Sequence, residues 1–421
     1  MSIDPGAIRA QFPSLSVTDD GKRRLYLDNP AGTQVPKPVA DAVSDAMLYR
    51  CANQKGQFRT SRMVDELIQD ARLAMADFLN APDTDEIIFG QSMTALAYHV
   101  SRSLGNLLEA GDEIIVTTMD HDANIHPWVT MAREHDIVVR WLPFNPETYE
   151  FDLDDLATLL NERTRLVALS GAANLTGSLH DVTAMCAMAR EVGAWTFIDG
   201  VQSVPHVPTD VQQIGCDMLA CSAYKFMGPH QGILWGRREV LEQLHAYQLR
   251  PAPQLIPGNF ETGTPAFELM AGTTAAVDYY DWIGKTMAGD YADRFGRFEG
   301  RRQRVHAAMA SLFDYEKQIA SRLVNGLQSL PGVTVRGVTD PGRMDHRVPT
   351  VAFTHVSMRP DDIAMHLANE NIFVWNGHNY AVELVKAVGL EDGGVVRVGP
   401  VHYNTLEEID EFLAVLGELL P

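Results

Sequence analysis

Residues 217–232 read DMLACSAYKFMGPHQG. The first six are an apolar run of the kind that forms a strand covered on both faces. The run ends at Ser222. Lys225 stands just beyond it and is followed by Gly228, Pro229 and Gly232, a turn in which backbone can come close to a neighbour. A surface lysine needs no such setting, although most lysines beside glycines are surface lysines. A lysine held partly dehydrated against a ligand does need it, because burial turns its amine into a base or nucleophile.

Working outward, the same grammar recurs. FIDGVQS (197–203) ends a strand on Asp199 and continues through Gly200 and Gln202. In an α/β sheet, ligands bind in the crevice beyond the carboxyl ends of the strands, so Asp199 and Lys225 can converge on one pocket. Read alone, Asp199 is an ordinary turn aspartate. The apolar runs EIIFG, EIIVTT, IVVRWLP, LVALSGAA, WTFIDG, DMLACS and GILWGR alternate with helical stretches such as SMTALAYHVSRSLGNLL and DVTAMCAMAREVG, the latter with Asp181 as a cap. This predicts an α/β fold with a mostly parallel sheet covered on both faces. After Tyr280 the pattern changes to a long polar helical region over 292–330. PGVTVRG, VPTVAFTHV, IFVWNG and VVRVGP then alternate with helices at 361–371 and 406–420, the pattern of a smaller α+β domain.

The 421 residues exceed what one core usually serves. A formal net charge of −21 excludes nucleic acid or an anionic membrane as a partner. MSIDPGAIRAQFPSL lacks the basic start and apolar run of a secretory signal, and no apolar stretch reaches the length of a membrane span. Cys51, Cys186, Cys216 and Cys221 have no CxxC or Cys/His ligand spacing, so reduced thiols in the cytoplasm and no metal site are expected.

Lysine and aspartate at strand ends suit pyridoxal 5'-phosphate. The lysine forms a Schiff base, and the carboxylate keeps the pyridine nitrogen protonated so that the ring draws electrons. GQSMTAL (90–96) joins a strand to a helix, placing Ser92 and the amides of Met93 and Thr94 at a helix N-terminus suited to an anion. By itself QSMT is a plain N-cap. Ser222 offers a further hydroxyl. His121, in TMDHDANIHPW, can stack on the cofactor ring, and Asn174, in ANLTG, can bond its phenolic oxygen; each alone is unremarkable.

In order, YLDNPAGTQVPKPV, IIFGQSMTAL, DHDANIHPW, AANLTG, FIDGVQSVPH, SAYKFMGPHQG, FETGTPAF and VRVGPVHYNTLEEID resemble the class V aminotransferase and cysteine desulfurase family of fold type I pyridoxal phosphate enzymes, from about residue 24 to the C-terminus. The resemblance implies a large cofactor-binding domain over 26–285, a small domain over 286–421, and an N-terminal segment, 1–25, packed on the small domain. It implies Lys225 as the Schiff-base lysine and proton carrier, and Asp199 beneath the pyridine nitrogen. Gln202 and Asn174 would lie at the phenolic oxygen and His121 on the ring. Ser92, Met93, Ser222 and Tyr224 would hold the phosphate. Thr264 would reach the phosphate of a neighbouring subunit, which makes the protein a homodimer with shared sites. Arg397 would grip the substrate α-carboxylate as a two-pronged donor, with Asn29 beside it.

Three departures stand out. Tyr224 replaces the histidine usual before the lysine, and QSMT replaces a glycine-threonine-threonine loop. NGHNYA (376–381) places Tyr380 where the desulfurases carry the cysteine that accepts sulfur. A phenol cannot replace a polarisable thiolate. None of the four cysteines lies in this loop; Cys221 is expected to point into the core, and Cys51 is the one candidate for a relocated thiol. NQKGQFRTSRMVDEL (53–67) resembles the substrate-side loop of a branch with aromatic residues at the cysteine position, so Arg59 and Arg62 can contact substrate. Read plainly, it is a solvated helix start capped by Thr60 or Ser61. The expected function is action at the α-carbon of an amino acid, with Tyr380 or His378 as a second acid. Elimination of a β-substituent, such as C–S cleavage, is favoured. The alternatives are a desulfurase with a relocated thiol, an aminotransferase or an epimerase, and a non-catalytic pyridoxal phosphate-binding protein.

Overall fold

The structure is a computed structural model and describes residues 3–421. Seven runs form its main sheet: β1 (Ile87–Gly90), β2 (Glu113–Thr117), β3 (Val138–Leu142), β4 (Thr164–Ser170), β5 (Trp195–Asp199), β6 (Met218–Ser222) and β7 (Gly232–Gly236). Their order is β1-β7-β6-β5-β4-β2-β3. β7 is antiparallel to both neighbours, whereas the pairings among β6, β5, β4, β2 and β3 are parallel. Side chains alternate between two apolar layers, as the period of a strand requires. Phe197 and Met218 enter one layer, Ile198, Leu219 and Cys221 the other. β3 departs from the expected two-sided cover. It is the edge strand, with Val138 and Trp141 exposed.

Helices clothe both faces. α1 (Lys37–Tyr49), α2 (Arg59–Leu79), α3 (Met93–Gly105), α4 (His126–Glu134), α5 (Val182–Glu191) and α6 (Phe267–Thr286) surround the sheet. α3 and α4 cover one face, while α2, α5 and α6 cover the other. Asp181 caps α5 by accepting the Ala184 N–H at 3.0 Å. The expected cap of α2 is different: Phe58 takes the N-cap position without a side-chain bond. Ser61 instead accepts the Gly56 N–H and donates to the Asn53 carbonyl, each at 2.6 Å, fastening the preceding loop to the helix.

The second sheet has β8 (Val333–Arg336), β9 (Val351–His355), β10 (Trp375–Gly377) and β11 (Val395–Val398), ordered β8-β9-β11-β10 and antiparallel throughout. IFVWNG is two strands rather than one. Ile372–Phe373 pairs in parallel with Leu25–Tyr26, and the following residues join β11. α7 (Gly300–Ser329), α8 (Pro360–Asn369) and α9 (Leu406–Leu419) pack on this sheet. α9 opens with a capping box between Thr405 and Glu408. The N-terminal segment touches both sheets' surroundings. Arg9 pairs with Glu408 at 2.9 Å, while Phe12 packs against Tyr279 of α6 and against Tyr403. Residues 1 and 2 of that segment lie outside the described residues.

Candidate active site

The carboxyl ends of β4, β5 and β6, the N-terminus of α3 and the β10–β11 edge enclose a cavity of about 250 Å³. Lys225 and Asp199 both line it. Lys225 sits in a short helical turn that continues from β6, its Nζ donating to the Pro30 carbonyl and lying 4.6 Å above the Tyr224 ring. Burial, assisted by the Arg397 cation, pulls its pKa down to about 7. Tyr224 is itself stacked on His230, centroids 4.6 Å apart.

Asp199 closes β5 and accepts the Val201 N–H at 2.9 Å. Burial pushes its pKa up to about 7, with the neighbouring Asp120 adding to the rise. Asp120, buried between Ser170 at 2.6 Å and Asn124 at 2.8 Å, is pushed up to about 6, chiefly by burial. His121 accepts the Ala123 N–H on Nδ1 at 3.0 Å, leaving Nε2 as the protonated nitrogen of the neutral ring. Burial, with Lys225 and Arg397 assisting, lowers its pKa to about 4 and keeps it neutral.

Ser92 is the N-cap of α3 and accepts the Ala95 N–H at 3.1 Å. The helix amides of Met93 and Thr94 have no partner within the first turn and border the cavity, as does Ser222. A Cβ on Gly232 would fall 2.3 Å from the Ser92 carbonyl carbon, so only glycine lets β7 press this turn into place. The Met93 side chain belongs to the core beneath the cavity.

Arg397 projects from β11, donating to the Asn174 carbonyl at 3.2 Å and to Asp28 at 3.4 Å. Burial lowers its pKa, and Asp28 opposes that shift. Asn174 donates to the Asn379 carbonyl at 2.7 Å, and Gln202 donates to Thr350 at 2.8 Å. The Tyr380 ring lies over His121, centroids 5.2 Å apart and 22° from parallel. Its backbone is tied down by the Asp122 N–H, which donates to the Tyr380 carbonyl at 2.8 Å.

Other expected residues stand elsewhere. Asn29 was expected beside Arg397 at the substrate. Its side chain is instead consumed: Nδ2 donates to the Gly399 carbonyl at 2.7 Å, and Oδ1 accepts from the Tyr403 hydroxyl. It shapes the turn that carries Pro30 into the cavity wall. Arg62 donates to the Gln57 carbonyl at 2.6 Å, and neither it nor Arg59 borders the cavity. His378 also lies off the wall and accepts the Tyr380 N–H at 2.9 Å. Thr264 lines a separate surface hollow with His230. Cys186, Cys216 and Cys221 are buried and Cys51 is exposed, and none of the four borders the cavity.

Sequence reasoning missed Trp375, Asn379, Pro30 and the Asp120–Ser170 pair, all of which border or back the cavity. Asp120 precedes His121 at a strand end and carried a readable signal; Pro30 and Asn379 lie in loops, Trp375 opens β10 and Ser170 ends β4, and the partners that bring them to the cavity are remote in sequence.

These residues fit pyridoxal 5'-phosphate. Asn174 Oδ1 and Arg397 Nε are buried without a partner, the expected mark of groups awaiting a ligand. A helix N-terminus offers free amides to a phosphate at one end. The buried Asp199 carboxyl, whose ionisation burial disfavours, would be stabilised as an anion by a cationic ring nitrogen.

The sequence model of the family described as aminotransferase class-V matches residues 25–295 and 305–412. An aminotransferase-like protein of Gibberella zeae, FGM3, is 31% identical over 424 residues, covering 98% of each chain. A cysteine desulfurase of Pectobacterium atrosepticum is 30% identical over 436 residues, covering 100% of this chain and 98% of that one. Among solved structures, the apo cysteine desulfurase of Thermococcus onnurineus superposes with a TM-score of 0.87 at 26% identity, covering 100% of this chain and 99% of that one. The Escherichia coli cysteine desulfurase CsdA, in its S-sulfonic acid form, does so at 0.83 and 26%, with 100% of each chain covered.

Proposed function

The chain belongs to the class V aminotransferase family, a cysteine desulfurase-like pyridoxal 5'-phosphate enzyme, and from that premise we propose that it eliminates a β-substituent from an amino acid instead of passing sulfur to a thiol of its own. When bound, pyridoxal 5'-phosphate supplies the electron sink that makes the α-proton of an attached amino acid removable.

The remaining work falls to the chain. Arg397 receives the α-carboxylate and fixes the substrate's register. Lys225, with a pKa of about 7, is poised at neutral pH to take the α-proton and return it. Asp199 would keep the ring nitrogen protonated, and neutral His121 would support the ring. Ser92, Ser222, Tyr224 and the Met93 amide would hold the phosphate, with Thr264 reaching it from the partner of a homodimer. Gln202 and Asn174 support the phenolic oxygen. Tyr380, with His378 behind it, supplies the acid for the departing group. The four unpaired cysteines suit a reducing compartment such as the cytoplasm. No helix of the described residues is long and apolar enough to cross a membrane.

One observation carries the reading: a tyrosine stacked on His121 faces the cavity, and no thiol does. The test is incubation of the cofactor-loaded protein with L-cysteine, followed by identification of the organic product. Pyruvate and sulfide, absent with Lys225→Ala, are expected. Alanine as the product would overturn the reading and point to a thiol brought in from elsewhere, with Cys51 the first to replace.

A further inference from the structure

Arg397 and Trp375 are directly opposite each other on the antiparallel strands β11 and β10. Opposite residues of such a pair point to the same face, with Cβ atoms about 5 Å apart. Both border the cavity, but at different depths. Arg397 is 4% exposed at its floor, and Trp375 is 54% exposed at its mouth. Tyr380 stands at the same mouth, 64% exposed, and the Val382 side chain beside it is also exposed. Two large rings left open at the mouth of this largely apolar cavity mark a surface built to be covered by a ligand.

The substrate's geometry follows. With the α-carboxylate on Arg397 and the α-amino group directed to Lys225, the side chain is left to run outward, along the strand partner of Arg397. A cationic side chain would share the cavity with Lys225 and Arg397, an unfavourable arrangement for like charges. A small side chain would leave both rings without substrate contact.

We infer that Trp375, with Tyr380 opposite, is the specificity-determining wall of this site and selects amino acids whose β-substituent is aromatic or bulky and apolar. The inference rests on the α-carbon chemistry proposed above for the same cavity. Its test therefore reads binding apart from turnover.

L-Homophenylalanine and L-2-aminobutyrate carry large and small side chains with no β-leaving group. Their dissociation constants on the cofactor-loaded protein can be measured by calorimetry. Wild type should prefer the ring compound by about tenfold, the effect of burying a phenyl face on an indole. Trp375→Ala should abolish that preference, weakening L-homophenylalanine by about tenfold more than aminobutyrate, and Trp375→Phe should restore most of it. Equal binding of the two by wild type, or a preference that survives Trp375→Ala, would overturn the inference.

In parallel, pyruvate release from S-benzyl-L-cysteine and S-methyl-L-cysteine separates the two claims. A binding preference without pyruvate from either would sink the elimination reading and leave Trp375 as the selector. Pyruvate from both at equal kcat/KM, with no binding preference, would do the reverse.

Discussion

Two buried carboxyls contribute one arm of the pH behaviour of the cofactor-free protein. Asp199 and Asp120 have pKa values raised to about 7 and about 6, in each case mainly by burial. An unfolded chain releases both protons near pH 4. Between roughly pH 4 and 7 these two groups therefore hold protons that the unfolded chain has lost, and their contribution to stability falls as pH rises through that window. The buried His121, His180 and His306, whose pKa values are lowered to about 4, oppose that fall with a contribution that rises up to about pH 6.5. Asp199→Asn should flatten this fall, raising the Tm of the cofactor-free protein by a few degrees at pH 7 and by little at pH 5. Thermal unfolding across pH 5–8 checks it, and an unchanged slope would mean that Asp199 is not the group responsible. In the loaded enzyme the same substitution should lower kcat by about 10²- to 10⁴-fold, since the ring nitrogen loses its partner. At this scale Asp199 and Lys225 were legible because Asp199 ends a strand and Lys225 follows one, and the apolar runs declare the direction of both. The bonds of Asn29 were not legible because its partners, Gly399 and Tyr403, lie at the other end of the chain.

At the scale of elements, the site is made by turns pressed against strand ends. β7, antiparallel within an otherwise parallel set, brings Gly232 against the Ser92–Met93 turn. Gly232→Ala must push that turn away from backbone atoms that cannot yield. The loaded protein should then bind pyridoxal phosphate at least about tenfold more weakly, a loss of roughly 1.4 kcal/mol. Equilibrium dialysis would show it, and undiminished affinity would remove the turn from the phosphate site. The 376–381 turn is the second case. Gly377, Asn379 and Tyr380 all have positive φ, at 103°, 49° and 60°. Only over-determination by neighbours holds two non-glycine residues there in succession. The bonds from Asp122 to the Tyr380 carbonyl and from Asn174 to the Asn379 carbonyl supply it. NGHNYA announced the unusual residue but not the backbone that aims it, because that backbone answers to segments far away.

For the whole molecule, α7 is the spine. Val305, Ala308 and Leu312 enter the core beside the large sheet, whereas Ile319, Leu323 and Leu327 enter the core beside the small one. Glu316 falls between them, buried, and faces His206 at 2.7 Å and His402 at 3.2 Å. Burial alone would raise its carboxyl; the His206 imidazole, joined by His402, outweighs burial and holds it low. His206 follows the Gln202 turn and His402 follows the Arg397 strand, so this contact ties the cofactor side of the cavity to its substrate side. Glu316→Ala leaves both imidazoles without their acceptor and should cost about 3–5 kcal/mol in unfolding free energy. Denaturant unfolding measures it, and a loss below 1 kcal/mol would show that packing alone joins the two sheets.

The sequence by itself determined the alternation of strand and helix, the strand ends that carry Asp199 and Lys225, the helix start at Ser92, and the tyrosine at position 380. Each depends on local periodicity or on the chemistry of a single side chain, which neighbours in the chain suffice to express. The tertiary structure alone decided which turns meet: that Pro30 accepts from Lys225, that Asn379 caps Asn174, and that Trp375 stands opposite Arg397. Those contacts join residues separated by tens to hundreds of positions, and their geometry is set by sheet order and register, which no local pattern encodes.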